Sequence, residues 1–279
     1  MAIGRKITRI LLKTFKYLFV LVVLLCVFVI IAVNSESCQT WLAHKAAAYL
    51  SKDLGTKVEI DKVKLRFVKS AELEGVFIEG KEHDTLLYSK FISVSLENFN
   101  YSKQTLKIAE VSLAGTKAFV VKHKDQEDFN FQHLVNYFSS GDTVKTSSSW
   151  KITYGKLVLN NLDLVYRNEN KDTSVIQNIN YNNINVKHLS GEVSDIRISD
   201  NKVHAAIKGL QCSEHCGLVL ESLDGNVEIS SKQVECLNLN LKTANSKLKG
   251  GFSFNYNSWE DYSDFVNKVK IRALLIDTT

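Results

Sequence analysis

The sequence predicts a mainly β protein: an N-terminal transmembrane helix, then antiparallel, meandering strands that form an elongated open groove or a sandwich, with a few short helices. Three observations carry this. Residues 17–33 form an uncharged apolar run, apolar residues recur at every second position from Lys57 onward, and the 279 residues contain no proline. A chain of this length ordinarily carries on the order of a dozen prolines. Their absence suits long β ladders, from which Pro removes an N–H donor, and it equally suits a skewed genomic composition.

The apolar run comes first in the chain. Arg5, Lys6, Arg9, Lys13 and Lys16 precede it without one acid, and Tyr17, Leu18, Phe19, Val20, Leu21, Leu24, Leu25, Phe28, Ile30, Ile31 and Val33 supply an uncharged anchor. At helical rise these residues reach about 26 Å, near the lower limit for spanning a bilayer. Ile10 to Leu12 extend the span if Lys13 and Lys16 snorkel. A cleaved signal peptide needs small residues after its core, and Val33-Asn34-Ser35-Glu36-Ser37-Cys38 offers no such site. The segment preceding Cys38 also lacks a lipoprotein pattern. The basic flank sets the N-terminus in the cytoplasm and the remainder across the membrane.

Four segments follow from this division. Residues 1–34 are a cytoplasmic tail and anchor, 35–138 an amphipathic helix and a first β unit, 139–149 a polar linker, and 150–279 a second β unit of repeating strands. Glu36 to Leu54 read as the helix, with Ser35 or Ser37 as cap, Gly55 as stop, and Trp41, Leu42, Lys45 or Ala46, Tyr49 and Leu50 on one face. Trp41 and Tyr49 fit a lipid interface or packing on the following sheet.

From Val58 the period is two. Val63, Leu65 and Phe67 alternate with Lys64 and Arg66, and short runs from Leu73 to Val121 are separated by Gly80 to Asp84, Asn98 to Asn100 and Ala114-Gly115. These separators read as turns of a meander. Asp128 to Phe138 has helical spacing. After the linker, Ile152 to Tyr166 read as paired strands. The alternation returns through Ile184, Val193, Val203, Leu218, Leu237 and Leu248 at the spacing of an all-β architecture. Trp259 to Val269 suggest a short helix and Ile271 to Ile276 a last strand.

Chemistry is sparse. The formal charge of +5 comes from mixed signs along the chain and marks no nucleic-acid binder. The residues contain no phosphate loop, nucleophile elbow, zinc-protease or calcium-loop motif, so the expectation is no enzyme, no catalytic residue, no cofactor and no metal. His83-Asp84 is an adjacent His–carboxylate pair that a polar turn explains. Cys38, Cys212, Cys216 and Cys236 fall in an exported region where disulfides are permitted. Cys212-Ser213-Glu214-His215-Cys216 lacks the paired spacing and fourth ligand of a zinc site.

The stretch from Trp41 to Tyr88 resembles the opening of the AsmA-like superfamily. Leu54-Gly55-Thr56-Lys57-Val58-Glu59-Ile60, Leu73-Glu74-Gly75-Val76-Phe77-Ile78-Glu79 and Asp84-Thr85-Leu86-Leu87-Tyr88 resemble the translocation and assembly module branch known as TamB. Leu239 to Ser246 and Phe254 to Ser258 are similar in pattern. Members of that branch are usually far longer and end in a C-terminal domain not found among these residues, so the resemblance covers an N-terminal part and implies a truncated chain.

The resemblance implies an inner-membrane, single-pass protein with its bulk in the periplasm, supporting outer-membrane protein assembly or translocation. It also implies membrane lipids as partners, phospholipid as cargo along an apolar groove, and an assembly protein in the outer membrane. The alternating residues Leu157, Leu159, Leu162, Leu164, Leu237, Leu239, Leu241, Phe252 and Phe254 are the candidate groove lining. The same side chains would equally fill the dry core of a sandwich, and a membrane-anchored sandwich for binding or adhesion is the rival reading.

Overall fold

A computed structural model describes residues 35–66, 69–139, 151–174, 180–199, 202–258, 261 and 265–278. The anchor expected at 17–33 and residues 140–149 of the linker lie outside them. Among the described residues no helix is long and apolar enough to cross a membrane.

Helix α1 spans Glu36–Leu54 and ends where Gly55 turns left-handed at φ 69°, a conformation that costs glycine nothing. Its inner side is not the one the apolar spacing suggested. Gln39 and Ala47 are buried, whereas Trp41 and Tyr49 are 58% and 68% exposed and do not pack on the sheet. Polar side chains do the docking, because the helix lies along the free edge of the two short strands β1 (Val58–Glu59) and β2 (Lys62–Arg66). Gln39 Oε1 accepts from the Leu65 N–H at 2.7 Å, Thr40 Oγ1 from Val63 N–H at 3.2 Å and Ser51 Oγ from Val58 N–H at 2.8 Å. Sheet edges carry unpaired donors that demand partners, and here the helix supplies them.

The long strands are β3 (Ser70–Glu79), β4 (Thr85–Asn100), β5 (Thr105–Lys122), β6 (Lys151–Asn168), β7 (Asn183–Ser199), β8 (Lys202–Glu214), β9 (Val219–Ser230), β10 (Gln233–Thr243), β11 (Lys247–Asn255) and β12 (Lys270–Thr278). They pair in chain order in one open sheet, with β1 and β2 both on β3. All pairs are antiparallel except one: β5 and β6 run parallel from Thr105 beside Lys151 to Lys122 beside Asn168. A parallel pair needs a crossover connection, and the chain between these strands includes helix α2 (Gln132–Ser139). The expected pure meander is therefore broken once. The sheet continues across the place where the two β units were divided. A four-residue helix α3 (Phe265–Lys268) precedes β12.

Several expected strands are halves of one. Gly115 reads as a turn but sits inside the 18-residue β5, and Asn161 sits inside the 18-residue β6. Asn161 is a left-handed residue at a register shift, as are His188, Gly209 and Asn238, whereas Gly115 and Gly75 are left-handed in strands that stay in register. Each of the four shifted positions is a β-bulge, which inserts an extra residue, bends the strand and increases its twist. The irregularity lies at one level from strand to strand: Gly75, Lys90 and Gly115 fall between registered partners, and the Asn161 N–H donates to Ser190 Oγ at 3.0 Å, two residues from His188. The bulges thus form a crease across the sheet. His188 Nδ1 and Asn161 Oδ1 lie 2.8 Å apart, and Asp224 accepts the Gly209 N–H at 2.8 Å, stitching this crease with side chains.

Each strand packs against its sheet neighbours, α1 against β1 and β2, and α2 against α1. No second sheet lies over either face among the described residues. A sandwich is therefore not what these strands build.

Candidate functional site

The register sorts side chains onto two faces of different chemistry. Leu157 and Leu159 stand beside Val193 and Gly191, Val193 beside Ile207, and Ile207 beside Gly225. Val227 pairs with Cys236, Cys236 with Phe252, Val234 with Phe254, and Leu241 with both Leu223 and Leu248. Partners opposite one another point to the same side, so these residues make one apolar face across β6 to β12. It continues over β5 through Val111 and Leu113 to Ile92 and Val94 of β4. The opposite face carries ion pairs. Lys156 bridges Glu110 and Glu192, each at 3.0 Å, and Lys202 meets Glu228 at 2.7 Å. The two glutamates hold the Lys156 ammonium above its usual pKa, and Glu228 does the same for Lys202.

Of the nine expected lining residues, the register places eight on the apolar face: Leu157, Leu159, Leu162, Leu164, Leu239, Leu241, Phe252 and Phe254. Leu237 belongs to the other side. Simple alternation groups it with Leu239 and Leu241, but the Asn238 bulge intervenes. Leu237 then stands beside Asn226 and is 51% exposed, while Leu239 is 5% exposed. The sequence signal that could have revealed this is Asn238, a residue type that tolerates left-handed backbone.

Several residues that flank the crease are buried, although no other layer covers them among the described residues. Val76, Leu162, Cys236 and Leu239 are buried, as are Ser89 and Thr116. The last two lie on β4 and β5, where their hydroxyls bond each other at 2.7 Å, so the crease floor is polar there and apolar from β6 onward. Burial pushes the Cys236 and Cys212 thiols up in pKa. Cys38, Cys212, Cys216 and Cys236 are all free thiols here.

One carboxylate sits at the end of this face. Glu214 pairs by register with Val186 and its side chain is 7% exposed. Burial by itself would raise its pKa, but N–H groups of Asn185 and Cys216, bonded at 3.0 and 2.7 Å, together with the neighbouring His215, outweigh it and hold the carboxyl at about 2.

His83 and Asp84 do not act together. His83 meets Glu79 at 3.3 Å, whereas Asp84 accepts from Asn130 at 2.8 Å and lies 3.2 Å from His123 Nε2. His123 Nδ1 in turn lies 3.3 Å from Glu169. This Asp84–His123–Glu169 row was not legible in the sequence, since its members come from three strand ends. Its geometry ties the β5 end and the crossover to β4 and β6. Among the described residues no cluster of His, Cys, Asp and Glu is arranged to hold a metal ion. No protein-family model matches the chain, and no curated protein matches it.

Proposed function

We propose that the chain is an inner-membrane-anchored periplasmic component of envelope biogenesis, of the AsmA and TamB kind. In this reading it shelters phospholipid acyl chains along a trough formed by its apolar face and supports outer-membrane protein assembly. The observation that carries the reading is the largely apolar face running across β6 to β12, with no covering layer among the described residues. Seven strands at ordinary spacing, each contributing some nine residues of length, give a face on the order of 900 Å². The largest apolar patch on a typical monomer is about 300–600 Å². A surface this size needs an apolar occupant.

The crease supports a trough rather than a flat platform. Bulges bend strands, and a line of them at one level bends the sheet along that line. Enclosure of Val76, Leu162, Cys236 and Leu239 beside the crease supports a hollow on the apolar side. Acyl chains lying there gain about 0.8 kcal/mol for each buried methylene with no reacting group required. The test is mass spectrometry of lipids extracted from the purified chain, with photoactivatable phospholipid as a second probe. Copurifying phospholipid that crosslinks to β6–β12 is the expected result; a chain that never carries or crosslinks acyl chains overturns it. The rival anchored sandwich is disfavoured because, among the described residues, no second sheet packs on the first.

A further inference from the structure

We propose that the outer side of α1 lies in the headgroup boundary of the bilayer, with Trp41, Leu42 and Tyr49 as its apolar contacts and Lys45 as its contact to lipid phosphate. The proposal rests on the membrane-anchored reading above and adds to it a surface. Positions 41, 45, 49 and 52 follow one another up one side of a helix. That side is opposite the one whose Gln39, Thr40 and Ser51 are bonded to the sheet edge. Trp41 is 58%, Leu42 50% and Tyr49 68% exposed. This aromatic–aliphatic strip lies off the polar bonds that hold the helix to the sheet edge.

Its chemistry selects the occupant. Trp and Tyr concentrate at membrane–water boundaries, and an interfacial helix sets aromatic or aliphatic residues beside lysines. Lys45 Nζ lies 5.9 Å from the Trp41 ring centroid, and Lys52 continues the basic row one turn beyond Tyr49. The chain outside the described residues points the same way. The uncharged run ends at Val33 and α1 begins at Glu36, a separation of at most about 10 Å at full extension. A run that crosses the bilayer therefore delivers α1 to its surface. With α1 lying flat, the β1–β2 edge it seals runs along the membrane, and Val63 beside Leu73 and Leu73 beside Ile92 link that edge by register to the apolar face.

The test uses the full chain reconstituted in vesicles of phosphatidylethanolamine and phosphatidylglycerol, with and without phosphatidylcholine brominated near the top of its acyl chains. Tryptophan quenching by bromine is compared between the wild type and Trp41→Phe, so that Trp150 and Trp259 cancel. The expected result is that Trp41→Phe loses most of the bilayer-dependent quenching; equal quenching in the two chains, zero included, overturns the proposal. Flotation of the vesicles separates the two levels of the argument. Protein that fails to float removes the anchor reading, and protein that floats with Trp41 unquenched removes the docking of α1 alone. Tyr49→Trp in the Trp41→Phe background gives a second probe on the same side, and its quenching is expected to recover.

Discussion

The two faces of the sheet meet at every strand, and Leu237 and Leu239 show how differently they are built. Two positions apart in β10, one is half exposed opposite Asn226 on the charged side and the other is buried beside the crease. On the charged face, side chains satisfy each other across strands, and each such exposed pair contributes little. On the apolar face, enclosure arises from the bend itself, because bulged strands bring their own neighbours over the floor. The contrast teaches that this sheet holds its enclosed residues by curvature rather than by a second layer.

Placing a charge on each face breaks that comparison most strongly. Leu239→Asp is expected to cost about 3–5 kcal/mol, the scale of an uncompensated buried charge, and Leu237→Asp to stay within about 0.5 kcal/mol, as exposed substitutions do. Urea unfolding of the two variants measures both, and equal losses would show that the faces are not distinct. Leu241→Asp, at a half-buried site of the same face, is the variant for lipid. Phospholipid content should fall while the folded yield survives, and unchanged lipid in a folded variant would dissociate the face from cargo.

Glycines sharpen the same contrast. Gly191 lies on the apolar side, and a Cβ there would come within 2.8 Å of the Leu210 Cα; Gly209 lies on the charged side with open space around it. Gly191→Ala is expected to cost about 1–3 kcal/mol from crowding added to strain. Gly209→Ala should cost only the left-handed penalty of about 1–2 kcal/mol. Thermal unfolding that ranks them the other way would place the hollow on the wrong side.

Acid titration probes the one carboxylate at the end of the apolar face. With its folded pKa depressed to about 2 from an ordinary 4.5, Glu214 contributes stability that is complete above pH 4.5 and fades as the pH falls towards 2. Glu214→Gln should flatten that part of the stability curve, and an unaltered slope would remove the role given to the Asn185 and Cys216 N–H groups. The smallest effect is expected at Lys156→Met on the charged face. A slight loss of thermal stability that shrinks further in high salt is the signature of its two exposed ion pairs.

How much of this was legible in the sequence differs by element. The bounds of α1 could be read, since Gly55 is a recognised stop, yet its docking side could not, because apolar spacing pointed to Trp41 and Tyr49 while the sheet edge selected Gln39, Thr40 and Ser51. Strand material was found nearly throughout, but Ala114-Gly115 read as a turn and Ile152 to Tyr166 as paired strands where β5 and β6 are each single. A left-handed Gly or Asn serves a hairpin turn and a bulge equally well, and local sequence carries no sign of which neighbour strand will continue past it. Eight of the nine candidate lining residues share a face because alternation holds between bulges. Leu237 is separated by the single residue that interrupts it.

By itself, the sequence determined a β-rich body behind an uncharged run and a basic flank, because side-chain periodicity and charge are local properties. Only the tertiary structure decided the parallel joining of β5 to β6, the crease, the side each leucine takes and the helix that seals the first edge. Those depend on backbone groups finding partners far along the chain, and on register, which one inserted residue reverses.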